Sequence, residues 1–494
     1  MSAYVALEAR FRRASLIQAA ASILHRDQAV MMPEGSAESR AEQIAALSLV
    51  GQEIVTAADM PDLLEMAQEE VLDAWQEANL REMRRQWVRQ TALPSALIAA
   101  RARADSACEI AWRSARSASD YAAVLPLLKE VVRLTREAGH AQAAVLDVSV
   151  YDALLDQFEP GGRVADIDPV FDDLADFLPD FVARVLDHQA ACPPVPLEGP
   201  FPVPRQEALG RRFMATLGFN FDKGRLDVSH HPFSGGTPED IRVTSRYDDA
   251  DFLTGLLAVL HETGHAQYEA GLPAAWRHQP VGASRGMTLH ESQSLLIEMQ
   301  VCRSPAFVSW AAPLMAEAFG GEGPAWSADN LLSLMTRVAR GLIRVDADEV
   351  TYPAHVILRY RIERAVLGGD VSLEDLPAAW NEGLADLLGI RPPDDRRGCL
   401  QDIHWYSGAW GYFPTYTLGA MAAAQLFSAA KAANTDIEAG IERGDFTPLF
   451  TWLRSNVHEH GSRFSTNELL TRATGRSLGS SAFKAHLKER YSSN

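Results

Sequence analysis

Cysteine and long apolar runs are scarce in this sequence. Its 494 residues include four cysteines, Cys108, Cys192, Cys302 and Cys399, which lie too far apart for the close pairs of a zinc finger or a dense disulfide framework. No apolar run approaches the roughly 18 residues that suggest a membrane-spanning helix. The N-terminal segment also lacks the uninterrupted apolar region of a secretory signal. We therefore expect free thiols and a cytoplasmic protein with no membrane partner.

Runs of basic residues are missing as well. The chain has 46 lysines and arginines against 65 aspartates and glutamates, which gives a formal net charge of −19. Such a charge repels phosphate backbones and anionic lipid surfaces, so nucleic acid is not an expected partner. Hydrophobic residues make up 47% of the chain and charged residues 22%, as in an ordinary folded protein of enzyme size.

Helical periodicity dominates the first part of the chain. Up to about residue 190, Ala, Leu, Glu, Arg and Gln prevail, and apolar residues recur every three or four positions. Residues 192–204 then contain six prolines, which bar both a helix and a central strand. This extended connector is either a domain linker or a segment that lies over one continuous body.

The rest of the chain contains one segment of different character. Residues 219–247 alternate polar and apolar side chains around Gly235, Gly236 and Pro238, which predicts a small hairpin or sheet. Helical periodicity returns at about Asp251 and continues to the end. The predicted interruptions are loops near 271–287, 319–327, 368–374 and 391–415. We predict a mainly α protein with regions 1–190 and 191–494 forming one structural unit.

The segment "VLHETGHAQYE", residues 259–269, contains an HExxH motif. On a helix His261 and His265 project from one face about one turn apart, so that both imidazoles can bind one cation. Glu262 then lies beside the metal, where a general base for water is needed. The alternative is a chance match, expected on the order of one per cent in a chain this long. The strongly apolar residues before His261 favour the metal site, because a buried polar pair without partners costs free energy.

A catalytic zinc site needs a third protein ligand and one open position. Glu291 is the candidate, thirty residues after His261 and at the start of the next helical run. The alternative is a capping box, because Thr288 and Glu291 form a T-x-x-E pattern in which the glutamate bonds back to the backbone of Thr288. Both interpretations place Glu291 in the first helical turn. Glu298 is a weaker alternative ligand.

Several short segments resemble, in their order along the chain, the helical metallocarboxypeptidase family typified by carboxypeptidase Taq. They are HPF (231–233), DIRVT (240–244), HETGH (261–265), HESQS (290–294), IRVDAD (343–348) and GCLQDIHW (398–405), with WGYFPTYTLG (410–419) as a further match. The chain departs from the family at Arg26, where members often have Trp. The resemblance implies that His261, His265 and Glu291 are the metal ligands and that Glu262 is the catalytic base.

Zinc bound in this way would lower the pKa of its water to about 7 and so provide a nucleophile near neutral pH. Glu262 would take the proton from this water and pass it to the leaving amine. The developing oxyanion needs further donors, and His404, Tyr412 and Tyr416 are the candidates. The sequence does not choose among these three residues.

An exopeptidase of this kind also needs a cation that binds the terminal carboxylate of the peptide. Arg242 lies in the predicted strand, where a local ion pair with Asp240 is the alternative role. Arg344 is spaced i, i+4 from Asp348 in a predicted helix. Its alternative role is an ion pair with Asp348, and such pairs commonly lie on a solvent-exposed helix face.

The resemblance instead implies that both arginines close the end of a long groove. In that interpretation they bind the terminal carboxylate with help from His231 and Gln401.

The family resemblance implies a zinc-dependent carboxypeptidase that releases single C-terminal residues. It further implies broad side-chain tolerance, poor release of proline, activity of some members with cobalt or manganese, and a homodimer. A helical metallo-endopeptidase or dipeptidyl carboxypeptidase with the same metal site is a rival. A non-catalytic peptide-binding scaffold is another. The N-terminal helices either wall the groove and move as a lid or serve as core packing.

Overall fold

The structure is a computed structural model that describes residues 2–229 and 232–492. Within these residues the chain forms 20 α-helices and one three-stranded sheet, so the predicted mainly α fold is confirmed. None of the described helices is both long enough and apolar enough to cross a bilayer. All four cysteines are free thiols, as expected.

Eight helices precede the proline-rich connector. They are α1 (Ala3–Val30), α2 (Ala37–Val55), α3 (Met60–Gln68), α4 (Ala74–Thr91), α5 (Ser95–Ala118), α6 (Tyr121–Leu146), α7 (Val150–Leu155) and α8 (Val164–Ala190). Helices α1, α3 and α4 share a small core of their own, in which Leu7 and Phe11 pack with Met60 and Met83. Buried residues of α6 and α8 belong instead to the main core, which extends to the C-terminal helix.

A short helix and the sheet follow the connector, whose residues 193–202 have no regular structure. These elements are α9 (Val203–Thr216), β1 (Gly224–Val228), β2 (Phe233–Thr237) and β3 (Asp240–Ser245). The strand order is β1-β3-β2, with β3 antiparallel to β2 and parallel to β1. The predicted hairpin is therefore β2 and β3, and β1 extends it to a mixed sheet beside α10 (Phe252–Gly271).

Ten further helices complete the fold after α10. They are α11 (Gly286–Leu295), α12 (Pro305–Phe319), α13 (Ala328–Met335), α14 (Tyr352–Gly368), α15 (Leu376–Leu388), α16 (Pro414–Ala433), α17 (Asp436–Glu442), α18 (Thr447–Asn456), α19 (Thr466–Thr474) and α20 (Ser481–Ser492). Helix α11 lies between α10 and α16 and packs against both. This three-helix contact in the centre of the molecule carries the candidate site.

The predicted helix around Arg344 is wrong. Residues 336–351 contain no α-helix, only a 3-10 turn over Arg344–Asp346. The carboxylate of Asp348 accepts hydrogen bonds from the backbone N–H groups of Val350 and Thr351, both at 3.0 Å, instead of pairing with Arg344. A short acidic side chain that bonds to nearby backbone in this way competes with helix formation.

Candidate metal centre and active site

Helix α10 carries the HExxH motif at the contact with α11. The helix begins with an N-cap, since the Asp251 carboxylate accepts from the backbone N–H groups of Leu253 and Thr254. Gly264 lies between the two histidines. A Cβ atom there would lie 2.5 Å from the carbonyl oxygen of Gln293 and 2.6 Å from the Cα of Ser294. The glycine therefore lets the backbones of α10 and α11 touch, which brings the second helix to the histidines.

Glu291 of α11 lies against both imidazoles. Its Oε1 is 4.0 Å from Nε2 of His261, and its Oε2 is 3.6 Å from Nε2 of His265. One ligand atom from each of the three residues can be chosen so that all lie within 4.8 Å of one another. The structure thus brings together the three side chains that the family resemblance implies as metal ligands.

The capping-box interpretation of Glu291 is wrong. Helix α11 begins at Gly286, two residues before Thr288, and has no side-chain cap. The backbone N–H of Thr288 donates to Glu159 Oε2 at 3.0 Å, so it does not need Glu291. Because the helix starts earlier, Glu291 lies in its second turn, not in its first, and its carboxylate turns toward α10.

The three side chains fit a divalent metal ion. Two imidazole nitrogens and a carboxylate oxygen are a donor set of zinc sites, and two ligands of one tetrahedral zinc lie roughly 3.4 Å apart. The observed separations from Glu291, 3.6 and 4.0 Å, are near this value and too long for hydrogen bonds.

The local charges favour a cation. Burial lowers the pKa of His261, but its hydrogen bond to Glu298 and the charge of Glu291 outweigh burial and raise it to about 10. Burial, together with His290 and His261, lowers the pKa of His265 well below its usual range. His265 is therefore a neutral imidazole, the form that binds metals, in a pocket rich in carboxylates.

Glu298, the weaker candidate ligand, contacts the opposite ring nitrogen of His261 from the one that faces Glu291. Its Oε2 lies 2.9 Å from Nδ1 of His261, on the ring nitrogen that does not face Glu291, and its Oε1 accepts from Arg303 at 2.6 Å. It lies in a π-helical turn, Leu296–Val301, that follows α11 directly. Such turns are frequent at functional sites, and a carboxylate on the second nitrogen of a ligating histidine orients the ring.

Glu262 faces the same pocket from α10. Its side chain is 7% exposed, and its Oε2 has no hydrogen-bond partner. Burial is the largest cause that raises the pKa of Glu262 to about 7, and the charge of Glu291 adds to it. A carboxyl group with this pKa can both accept and return a proton near neutral pH.

The three candidate oxyanion donors form one aromatic cluster. Nε2 of His404 lies 3.2 Å from the hydroxyl of Tyr416, and the ring centroids of Tyr412 and Tyr416 are 5.1 Å apart. Burial raises the pKa of Tyr416 to about 12, with Glu291 adding to the shift, so the phenol keeps its proton. Burial and Arg344 lower the pKa of His404 to about 3.

Arg344 is buried beside this cluster. Its guanidinium carbon lies 4.7 Å from the ring centroid of Tyr416, and its Nε and Nη2 donate to Asp402 Oδ1 at 3.1 and 2.8 Å. Gln401 accepts from the backbone N–H of Arg344 and from Arg359, while its amide donates to three backbone carbonyls. Gln401 therefore holds the segment that carries Arg344.

Arg242 lies on β3 and belongs to a different hydrogen-bond network from that of Arg344. Its Nε and Nη2 each donate to a carboxylate oxygen of Asp240 at 2.7 Å, and its side chain is 24% exposed. Among the described residues it shares no hydrogen-bond partner with Arg344. The predicted substrate residue His231 lies outside the described residues.

Several further residues around the site did not follow from sequence patterns. Asp402 lies in the quoted segment GCLQDIHW, but its partnership with Arg344 spans 58 positions. Tyr352, the first residue of α14, is buried, and burial together with the charge of Glu291 raises its pKa well above its usual range although Arg344 lowers it. The ring centroids of His290 and His265 are 4.5 Å apart with the two rings tilted, and Nε2 of His290 lies 3.0 Å from Oε1 of Glu269. Its place as the first residue of HESQS, directly before Glu291, was the signal for His290.

Comparisons with known proteins agree on one family. The family described as carboxypeptidase Taq (M32) metallopeptidase matches residues 6–491. Thermostable carboxypeptidase 1 of Thermus thermophilus is 37% identical over 94% of this chain and 93% of its own length. Carboxypeptidase 1 of Bacillus subtilis is 34% identical over 97% of this chain and 96% of its own.

Solved structures agree with these sequence matches. Metallocarboxypeptidase 1 of Trypanosoma cruzi has a TM-score of 0.97 at 40% identity, covering 99% of each chain. The M32 carboxypeptidase of Deinococcus radiodurans has a TM-score of 0.94 at 32% identity, covering 99% of this chain and 100% of its own.

The helical fold, the His/His/Glu cluster and these relatives together define a metallocarboxypeptidase. The chain belongs to the carboxypeptidase Taq (M32) family, as the resemblance implied. Membership implies a metal ion and peptide substrates, and it sets aside the non-catalytic scaffold.

Proposed function

We propose that this enzyme binds zinc through His261, His265 and Glu291 and releases single residues from the C-termini of peptides. The observation that carries the proposal is the convergence of two imidazoles and one carboxylate from two helices, with the free carboxylate of Glu262 beside them. Zinc in such a site supplies Lewis acidity, which lowers the pKa of water to about 7 and polarises a carbonyl.

Glu262 is the proposed general base and acid. Its unpartnered Oε2 accepts a proton from the attacking water and then donates it to the nitrogen of the leaving amino acid. The pKa of about 7 supports both steps, because burial keeps the carboxyl group near the balance between its two protonation states. Burial also limits exchange of this proton with bulk solvent.

Tyr416 is the proposed donor to the developing oxyanion. Its protonated hydroxyl is held by His404 Nε2 at 3.2 Å, and Glu291 is near enough to raise its pKa. Tyr412, which packs on Tyr416, supports the position of the ring and is a second donor. Donors fixed before the reaction stabilise the charge that develops in the transition state.

Arg344 is the proposed binding group for the terminal carboxylate of the substrate. Asp402 and Gln401 hold it in place, and burial strengthens a charged hydrogen bond that water would weaken. Arg242, on β3, and His231 are proposed to assist in binding this carboxylate. Residues 1–190 are proposed to wall the groove, since α1 and α2 line a large cavity beside α10.

Other finer features rest on the family resemblance alone. These are broad side-chain tolerance, poor release of proline, function with cobalt or manganese in place of zinc, and a homodimer. The proposed cytoplasmic location rests instead on the scattered cysteines and on the sequence patterns described above.

A peptide ladder tests the proposal. Purified protein loaded with zinc is incubated with a ten-residue peptide, and mass spectrometry follows the products. Successive loss of one C-terminal residue is expected, together with much slower loss from the amidated peptide and no loss after chelation by 1,10-phenanthroline until zinc is restored. Internal cuts or loss of residue pairs would instead support the endopeptidase or dipeptidyl carboxypeptidase.

Two variants locate the chemistry within the chain. Glu262→Gln should abolish the ladder while zinc still binds, because the change removes the base and leaves the ligands. Glu317→Gln, which alters an exposed ion pair with Arg212, is the matched control and should behave as wild type. Full activity of the Glu262→Gln protein would reject the proposed base.

A further inference from the structure

The C-terminal helix α20 holds the π-helical turn that carries Glu298. Met299 and Gln300 follow Glu298 in this turn. Arg490 of α20 donates from Nη1 to the backbone carbonyl of Met299 at 2.5 Å and from Nη2 to that of Gln300 at 3.0 Å. Carbonyl groups at the C-terminal end of a helix lack partners within the helix. A planar guanidinium that donates to two of them therefore fixes the backbone at the point where the helix ends.

Glu349 holds Arg490 in this position. Its Oε2 accepts from Nη1 of Arg490 at 2.9 Å and from the hydroxyl of Tyr491 at 3.0 Å. Its Oε1 lies 2.7 Å from Nε2 of His486 and accepts from the side-chain amide of Gln300 at 3.3 Å. Three side chains of α20 and one of the π-helical turn thus converge on a carboxylate that is 0% exposed. A buried charge with this many partners keeps them in one arrangement, because losing any of them costs free energy.

The π-helical turn continues from this junction to the metal centre. Glu298 lies directly before Met299, and its Oε2 is 2.9 Å from Nδ1 of His261. A hydrogen bond of this length weakens steeply when either atom moves by a few tenths of an ångström. Displacement of the backbone at Met299 would therefore displace Glu298 and leave the His261 imidazole free to rotate. Metal-binding histidines depend on such a partner for the orientation of the ring.

We propose that Arg490 is a positioning residue for the metal centre, fixing the π-helical turn so that Glu298 orients the imidazole of His261 toward the metal ion. Among the hydrogen bonds and ion pairs of the described residues, those of Arg490 reach the turn and Glu349 but none of the three candidate metal ligands. Arg490 therefore acts through Glu298. The inference rests on the proposed function, because it assumes that zinc binds at His261.

Competition with a chromophoric chelator tests the proposal by measuring zinc affinity. Arg490→Met keeps an unbranched apolar stem and removes every donor. Zinc binding should weaken about 3- to 10-fold, which is at or below the loss typical when the supporting carboxylate itself is removed. An Arg490→Met protein that is folded by circular dichroism and binds zinc as tightly as wild type would overturn the proposal.

Tyr491→Phe is the matched control on the same helix. It removes one hydrogen bond to Glu349 and leaves both contacts of Arg490 with the π-helical turn. The free energy of unfolding should fall, because a buried hydrogen bond is lost, while zinc affinity should stay unchanged. If Tyr491→Phe weakens zinc binding as much as Arg490→Met does, the effect belongs to the docking of α20 in general and the proposal fails.

A double variant tests whether Arg490 acts through Glu298. In the Glu298→Gln background, adding Arg490→Met should change zinc affinity by less than about 2-fold, because the charge that Arg490 positions is already gone. The loss of stability from Arg490→Met should persist in that background. Two independent, additive losses of zinc affinity would contradict the proposed route.

Hydrogen exchange reports on the π-helical turn itself. The backbone N–H of Cys302 donates to the carbonyl of Ile297 at 2.8 Å, which closes the turn. In zinc-free protein, mass spectrometry of peptides that cover residues 296–303 should show faster exchange in Arg490→Met than in Tyr491→Phe. Equal exchange in the two variants would reject the role of Arg490 in holding the turn.

A conservative variant keeps the test possible if Arg490→Met does not fold. Arg490→Lys retains a positive charge near Glu349 but lacks the planar fork that spans two carbonyls, so zinc binding should weaken about 2- to 5-fold. Unchanged zinc binding by folded Arg490→Lys would overturn the proposal. If the wild-type protein itself binds no zinc, the proposed function fails; tight binding by wild type with no loss in either Arg490 variant rejects only this inference.

Discussion

The contact between Glu298 and His261 allows a quantitative test of how the metal centre is built. Glu298→Gln keeps the size of the side chain and an oxygen that can face Nδ1 of His261, but removes the negative charge. That charge now orients the imidazole across 2.9 Å and also neutralises Arg303 across 2.6 Å. Because loss of such a supporting group typically weakens metal binding 10- to 100-fold, we expect zinc affinity to fall by about 1.4–2.7 kcal/mol.

Competition with a chromophoric chelator measures this affinity directly. Circular dichroism should show that the variant is folded, since Arg303 keeps a hydrogen bond to the backbone carbonyl of Met335. The matched control is Glu374→Gln, which removes a carboxylate from an exposed ion pair with Lys129 and should leave zinc affinity unchanged. A folded Glu298→Gln protein that binds zinc as tightly as wild type would refute the assigned role of Glu298.

Three further changes test other parts of the account. Arg344→Leu should lower kcat/KM at least about 100-fold for peptides with a free C-terminus, because two charged hydrogen bonds of about 1.5–3 kcal/mol each are lost; an equal loss for a slowly cleaved amidated peptide would contradict carboxylate binding. Gly264→Ala should lower the free energy of unfolding, measured in urea, by about 1–3 kcal/mol and weaken zinc binding, because the new Cβ would lie 2.5 Å from an atom of α11. The control Gly210→Ala should do neither, because the nearest atom to its new Cβ is 3.5 Å away. Although burial raises the pKa of Glu349, His486 and Arg490 hold it well below its usual range. The carboxylate therefore stabilises the fold fully above its unfolded-state pKa of about 4.3, and the urea-midpoint difference from Glu349→Gln should shrink as the pH falls below that value.

Local periodicity was enough to predict that two of the three candidate metal ligands share one helix face. His261 and His265 are four residues apart on a long helix, so their shared face follows from helix geometry alone. The first residue of α11, Gly286, could not be predicted from local periodicity. The T-x-x-E pattern suggested a cap at Thr288, but a tertiary hydrogen bond from its N–H to Glu159, 129 positions away, replaces that cap.

The surroundings of Arg344 show where sequence patterns give the wrong partner. The spacing to Asp348 suggested a helical ion pair, whereas Arg344 pairs with Asp402 in a segment that has no α-helix. Long-range pairing of this kind depends on how distant segments pack, which no local pattern contains. The same limit applies to β1, whose parallel pairing with β3 requires a crossover that the alternation of residues 219–247 does not reveal.

Anomalous diffraction at the zinc edge from crystals grown with zinc tests the central claim most directly. We predict one strong peak per chain, about 2.0–2.2 Å from Nε2 of His261, Nε2 of His265 and a carboxylate oxygen of Glu291, with Glu262 nearby but not bound to the ion. The absence of a peak between the two imidazoles, with the Glu291 side chain directed elsewhere, would contradict the account.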